Sequence, residues 1–263
     1  EFICVNAKDK MWFYFNKRRW VLSNGGMHLK QRISTDLIRT LRANLELLAQ
    51  QRTQTGLISE ADVQEKKKKD SQKLKKLMTT SFKNSVMTEC LELFFDYDST
   101  FLEKTDSNLD LLAFENGVYE LDTGRFRGCR PDDYITMSTR INYREFTWDD
   151  DIVQEIILFF KQIYTSECVR EYQLTLLATF LSGSVSEEKF YLFTGTGSNG
   201  KSKLIELVKD TLGDYFGTLP ITLLTRKRVD ATSANPELAK TKGKRFVVMQ
   251  EPDGGTTINV GLM

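Results

Sequence analysis

Apolar and polar positions alternate at the start of the chain. Phe2-Ile3-Cys4-Val5 and Trp12-Phe13-Tyr14-Phe15 read as strands, and Trp20-Val21-Leu22 follows the basic turn Asn16-Lys17-Arg18-Arg19, which predicts a small antiparallel meander. Asn24-Gly25-Gly26 breaks it. Leu29, Ile33, Leu37, Leu41, Leu45 and Leu48 then recur at three- and four-residue steps, placing one apolar stripe on a helix of about five turns. Residues 59–76 are nearly devoid of apolar side chains yet contain neither Pro nor Gly, a pattern that fits a solvated helix or a mobile helical linker. Phe82, Val86, Cys90, Leu93 and Phe94 restore helical periodicity.

Further on, Asn116-Gly117 stands between two β-prone runs and predicts a two-residue hairpin turn, because that pair tolerates positive φ at both positions. Asp122-Thr123-Gly124 marks a second turn, so a β-meander is expected here. Thr147 with Asp150 predicts a helix start, with Asp149, Asp150 and Asp151 at its positive end and Ile152, Ile156, Phe159, Phe160 and Ile163 on its buried face. A second apolar helix, Val169 to Leu181, ends at Gly183. A domain boundary is expected near 150 or in the Ser184–Glu188 loop. Residues 1–150 then form an α+β scaffold, and residues 151–263 open an α/β nucleotide-binding unit.

Composition narrows the class. With 263 residues and 40% hydrophobic side chains the chain can build a sizeable core. No apolar run approaches a membrane span and no secretory segment opens it, so an intracellular chain with no membrane partner is expected. The net charge of +1 is a cancellation: residues 1–90 hold 18 basic and 9 acidic side chains, residues 91–160 hold 6 and 16, and the remainder 13 and 11. Cys4, Cys90, Cys129 and Cys168 are far apart with only His28 as a nitrogen ligand, which argues against zinc and for free thiols. Beginning at Glu1 and stopping at Met263, the chain reads as a piece of something longer.

The chemistry is concentrated in Gly195-Thr196-Gly197-Ser198-Asn199-Gly200-Lys201-Ser202, which matches G-x-x-x-x-G-K-[ST] at every fixed position. A strand candidate, Phe190–Phe193, precedes it. A helix candidate carrying Leu204, Ile205, Leu207, Val208 and Leu212 follows, ending before Gly213. In such a loop backbone N–H groups face phosphate oxygens and the helix N-terminus adds its dipole. Lys201 is expected to pair with the β and γ phosphates of ATP, Ser202 to complete the Mg²⁺ shell, and Lys203 to lie beside the nucleotide. Arg245-Phe246-Val247-Val248-Met249-Gln250-Glu251 reads as a buried parallel strand whose carboxyl end opens on the ligand crevice. Glu251 is therefore the candidate to polarise the attacking water or to hold Mg²⁺ through water, with Asp253 the weaker candidate behind it. The reaction class is phosphoryl transfer.

These residues resemble a known family. The run FYLFTGTGSNGKSKLIELVKDTLGDYFGTLPITLLTRKR, with NPELAKTKGKRFVVMQEPDGGTTIN after it, looks like the superfamily III helicase module of poxvirus-type primase-helicases from nucleocytoplasmic large DNA viruses and related phages. LDLLAFENGVYELDTGRFRGCRPDDYITMSTRINY and WFYFNKRRW are similar to the domain that precedes that module. The resemblance implies an AAA+-like P-loop NTPase core, cut short at its C-terminus and preceded by an α+β domain. It further implies a hexameric ring with ATP sites between subunits, movement on single-stranded or forked DNA, primase or other replication partners, and viral replication sites in the host cytoplasm. Gln250 departs from relatives that carry two adjacent acids, leaving Glu251 to act alone or with help from elsewhere.

Other residues have two readings. Lys66 to Lys69 with Lys73, Lys75 and Lys76 either track a nucleic-acid backbone or form a solvated face. Trp12, Phe13, Tyr14 and Trp20 either stack on unpaired bases or fill a core. Arg226-Lys227-Arg228, Lys242, Lys244 and Arg245 reach either a neighbour's phosphates or DNA, and Lys189 is a candidate for a nucleotide across a subunit boundary. Two rival functions remain in view, a P-loop kinase acting on a small acceptor and a non-catalytic nucleotide- or DNA-binding assembly module.

Overall fold

Residues 1–50, 60–184, 189–195, 197–225 and 236–249 are described by the computed structural model. They divide into one unit of Glu1–Asn16 with Trp20–Glu103 and a second of Lys17–Arg19 with Lys104–Met263. The expected boundary near 150 falls inside the second unit.

The first unit opens on the meander that the alternation predicts. Strands β1 (Phe2–Asn6), β2 (Met11–Phe15) and β3 (Trp20–Asn24) pair antiparallel in that order. Cys4 opposes Trp12 and Trp12 opposes Ser23, so one face of the two-residue period carries all three inward. Trp12 is 1% and Trp20 5% exposed, which gives both tryptophans to the core and not to base stacking. Trp20 and Phe13 close on Phe101, with centroids 5.0 and 5.2 Å away. At the outer edge of β1, Cys4 N donates to Phe94 O at 2.8 Å and Asp96 N to Cys4 O at 2.9 Å, a single parallel bridge to Phe95.

Helices α1 (Met27–Arg32) and α2 (Ile38–Gln50) are joined by a π-helical turn, Ile33–Leu37. The turn takes one extra residue, so the stripe steps from buried Ile33 to Ile38 while Leu37 swings out to 41% exposure. The uninterrupted stripe through Leu37 is thus corrected. Residues from Glu60 form α3 (Glu60–Leu77), followed by α4 (Thr80–Leu93) and α5 (Phe101–Lys104). Leu77, Phe82, Val86 and Cys90 join Cys4, Trp12, Leu29 and Ile33 in one core.

In the second unit β4 (Leu111–Phe114), β5 (Gly117–Glu120) and β6 (Arg125–Arg127) form the second meander. Phe114 pairs with Gly117, so the turn residues are Glu115 and Asn116, not Asn116 and Gly117. Gly117 sits in the strand because Arg127 O and the Phe126 ring occupy the space a Cβ would need. Asn116 is claimed by reciprocal hydrogen bonds with the Tyr143 backbone, both 2.8 Å. Glu115 accepts from Arg19 at 2.7 Å, Ser138 Oγ at 2.9 Å and Arg18 at 3.3 Å. Burial alone raises its pKa, but the hydrogen bonds from Arg19 and Ser138, with the charges of Arg19 and Arg140, outweigh burial and hold the carboxyl below its ordinary range.

Helix α6 (Asp151–Ile163) starts after Asp150, whose carboxylate binds back to Thr147, and α7 (Glu167–Thr179) follows. Phe160 is buried, whereas Ile152 and Ile156 are exposed, so the inward face of α6 is narrower than expected. Helix α8 (Lys201–Leu212) ends as predicted at Gly213, and β7 (Phe216–Leu219) follows it, then α9 (Thr222–Thr225), α10 (Pro236–Ala239) and β8 (Phe246–Met249). Strands β7 and β8 run parallel, Phe216 opposite Phe246. The core gathers Leu112, Phe160, Leu204, Val208, Leu212, Tyr215 and Phe246. Among the described residues no helix is long and apolar enough to cross a membrane. The described chain is therefore mixed α and β with small sheets.

Arg245 is the hinge of this unit. It is 9% exposed, and its guanidinium donates to Leu109 O at 2.8 Å, Leu111 O at 2.7 Å and Leu181 O while lying 5.1 Å from the Tyr215 ring centre. Tyr215 in turn accepts the Ala113 N–H at 3.1 Å, and burial pushes its hydroxyl up to about 12. Arg245→Met leaves three carbonyls without their donor and should cost about 3 kcal/mol or more in urea unfolding, against roughly 1–2 kcal/mol for Tyr215→Phe. Glu115 supplies a pH signature. Its contribution is complete above the ordinary carboxyl value of 4.5 and is lost as pH falls through the lowered folded value. The thermal midpoint should therefore drop on the acid side of 4.5, and Glu115→Gln should show a lower midpoint at neutral pH with a flatter acid limb.

Candidate nucleotide-binding loop

The loop that carries the motif turns where its glycines allow. Gly197 has φ 92° and Gly200 φ 83°, both in the left-handed region, and Ser198 between them adopts φ 48°. Gly200 caps α8, so Lys201 and Ser202 are the first residues of the helix. An added Cβ at Gly200 would lie 2.7 Å from Ile163 Cγ1, so the loop meets the C-terminal end of α6 with no room for a side chain. Lys201 Nζ folds back over the loop, donating to Asn199 Oδ1 at 3.1 Å and Gly195 O at 3.4 Å. A Cβ at Gly195 would collide with the Asn199 amide and come 3.1 Å from Lys201 Nζ. Gly195 and Asn199 thus both meet the Lys201 ammonium group.

The helix end is built for an anion. Four N–H groups of a first helical turn have no intrahelical acceptor. Among the described residues no side chain caps them, and no acid stands in the first turn, while the dipole adds positive potential. Triphosphate oxygens fit this donor set: N–H groups without an acceptor among the described residues, one lysine and space at Gly197, where no described residue lies within 4 Å of an added Cβ. Ser202 is exposed at the helix start, where its hydroxyl is a hard oxygen ligand suited to Mg²⁺. Lys203 points elsewhere. It pairs with Glu206 at 2.7 Å, and that hydrogen bond raises its pKa.

Several expected features differ or lie out of view. Phe190–Phe193 forms no strand: Phe190 and Leu192 are exposed, and the segment has no ladder partner among the described residues, so only Tyr191 and Phe193 reach apolar neighbours. Thr196, Arg226-Lys227-Arg228, Gln250, Glu251 and Asp253 lie outside the described residues. Lys189 is exposed ahead of the loop. Arg245 is withdrawn from any phosphate by its burial, and Lys244 Nζ donates to Asp214 O. Neither burial was legible, because a basic residue before a strand carries no local mark of its partners. The cleft lined by Asp106, Asn108, Asp133, Tyr215 and Arg245 shares no residue with the glycine-rich loop.

The architecture is that of an α+β chain leading into a glycine-rich loop and helix. The family described as D5 N terminal like matches residues 1–172, and the chain belongs to that family. A protein named "Putative helicase" from Acanthamoeba polyphaga mimivirus is 41% identical over 99% of this chain and 27% of its own length. One of the same name from Frog virus 3 is 26% identical over all of this chain and 36% of its own. A "Putative primase" of African swine fever virus is 27% identical over 70% of this chain and 19% of its own. The chain thus spans about a third or less of the curated relatives it matches. The resemblance to viral primase-helicases with a D5-type N-terminal domain is borne out. The family match stops at 172, ahead of Gly195.

The geometry at Gly200 has a direct test. Gly200→Ala imposes a left-handed alanine, about 1–2 kcal/mol, and a contact with Ile163. Urea unfolding should show a loss at or above that range, while Gly197→Ala, where the space is open, should lose only the backbone share.

Proposed function

We propose that this chain is the helicase-preceding domain and the first part of the motor of an ATP-dependent DNA helicase of viral replication. The loop from Gly195 to Ser202 binds MgATP: its N–H groups and Lys201 hold the β and γ phosphates, and Ser202 helps hold Mg²⁺. Glu251 polarises the attacking water or holds Mg²⁺ through water, in an AAA+-like core. The carrying observation is the uncapped, acid-free start of α8 with Lys201 turned into the loop. The names of the mimivirus, frog-virus and swine-fever-virus relatives support the helicase and primase part of the reading.

In this reading copies assemble as a hexameric ring around single-stranded or forked DNA, with a primase domain or other replication proteins as partners. The site of action is intracellular, at viral replication sites in the host cytoplasm. Positioning and charge neutralisation by Lys201 and Mg²⁺ supply most of the catalysis.

Lys201→Ala should weaken binding of a fluorescent ATP analogue in the presence of Mg²⁺ by at least about tenfold, the worth of one charge-assisted hydrogen bond. It should also abolish ATP turnover measured with single-stranded DNA. Unchanged binding and turnover would sink the assignment. Turnover driven by a small acceptor and indifferent to DNA would favour a kinase.

A further inference from the structure

Helix α3 packs with a narrow inner face. Val63, Lys67, Asp70, Leu74 and Leu77 recur at four- and three-residue steps and are half-buried or buried. The opposite arc is exposed throughout: Asp62, Gln64, Glu65, Lys66, Lys68, Lys69, Gln72, Lys73, Lys75 and Lys76, six lysines against two acids. Lys66, Lys69, Lys73 and Lys76 step by three, four and three residues and so form one row, with Lys68 and Lys75 in a second row two turns apart. At 1.5 Å per residue the first row is about 15 Å long. Phosphates along one strand of B-form DNA repeat every ~3.4 Å of axis, so the row matches about four of them.

Two of the six lysines are paired locally. Lys69 pairs with Glu65 at 2.6 Å, both well exposed, and Lys73 reaches Asp70 at 3.2 Å. Lys66, Lys68, Lys75 and Lys76 have no acidic partner among the described residues. An exposed ion pair such as Lys69 with Glu65 is worth little in water and yields readily to a stronger anion. The arc also lacks any apolar side chain. A protein partner would need a desolvated apolar or aromatic anchor, whereas a phosphate backbone needs charge alone. The excess of 18 basic over 9 acidic residues in positions 1–90 has the same sign.

We infer that the outer face of α3 is a sequence-independent contact for the phosphate backbone of nucleic acid. This rests on the reading that the protein works on DNA, and it names a surface for that DNA on residues other than those of the ATP loop. The test is the fluorescence anisotropy of a labelled single-stranded oligothymidylate titrated with the 263-residue chain across about 50 to 200 mM salt. Changing Lys66, Lys69, Lys73 and Lys76 together to Gln keeps helix propensity nearly constant, and far-UV circular dichroism should confirm it. The variant should bind at least about tenfold more weakly at low salt, and its log–log salt slope should fall by roughly 2 to 3, four contacts at ~0.7 each. Glu65→Lys should tighten binding and steepen the slope. Equal affinity and slope in wild type and the quadruple variant would overturn the inference, as would no binding by wild type at low salt. Tighter binding of polyglutamate than of DNA would also overturn it, in favour of an acidic protein partner. The quadruple variant should bind the fluorescent ATP analogue as wild type does, so loss of the lysine effect and loss of nucleotide binding are read separately.

Discussion

Arg245 places a positive charge where only 9% of the residue meets solvent, and three carbonyls and one aromatic face answer it. Desolvation lowers the pKa of the guanidinium, with Tyr215, Asp110 and Asp106 pulling the other way. Because arginine does not give up its proton, the protein must keep those acceptors in place. The three carbonyls belong to the approach to β4, to β4 itself and to the turn after α7. One side chain at the entrance to β8 thereby fixes the meander, a helix end and the parallel pair against one another. Tyr215 repeats the tie from the opposite side through Ala113.

The glycine-rich loop depends on that frame. Helix α8 packs Leu204, Val208 and Leu212 into the same core as Tyr215 and Phe246. Its far end is held where Gly213 passes against the Thr139 carbonyl, a position that tolerates no Cβ. The near end meets Ile163 at Gly200. With both ends set by close approaches, the N–H groups of the first turn point in a fixed direction. Lys201 meanwhile rests on Asn199 and Gly195 through long bonds to neutral oxygens, which anionic oxygens would outcompete.

What the chain reveals by pattern is local. The first meander, α8 and its stop at Gly213, and β8 follow from periodicity and glycine placement within a few residues. The misreadings have tertiary causes. Asn116-Gly117 carries every mark of a two-residue turn, but Arg18, Arg19 and Ser138 claim Glu115 and the Tyr143 backbone claims Asn116, which moves the turn one residue earlier. Leu37 fits the helical stripe, yet the π-helical turn hands its place to Ile38. Phe190–Phe193 has strand composition but lacks a ladder neighbour among the described residues, and composition cannot supply one. The glycine-rich loop was legible because its chemistry requires glycine at particular positions, whereas Arg245 looked like any surface base.

The parallel bridge between Cys4 and Phe95 bears on how copies of this protein could associate. Strand addition requires an unpaired row of N–H and C=O groups. At the outer edge of β1 the N–H and C=O of Cys4 are already taken by Phe94 and Asp96. An incoming strand would have to displace these two bonds before it could pair at Cys4. The middle of that edge is thus occupied, which interrupts continuous sheet growth along β1 at Cys4.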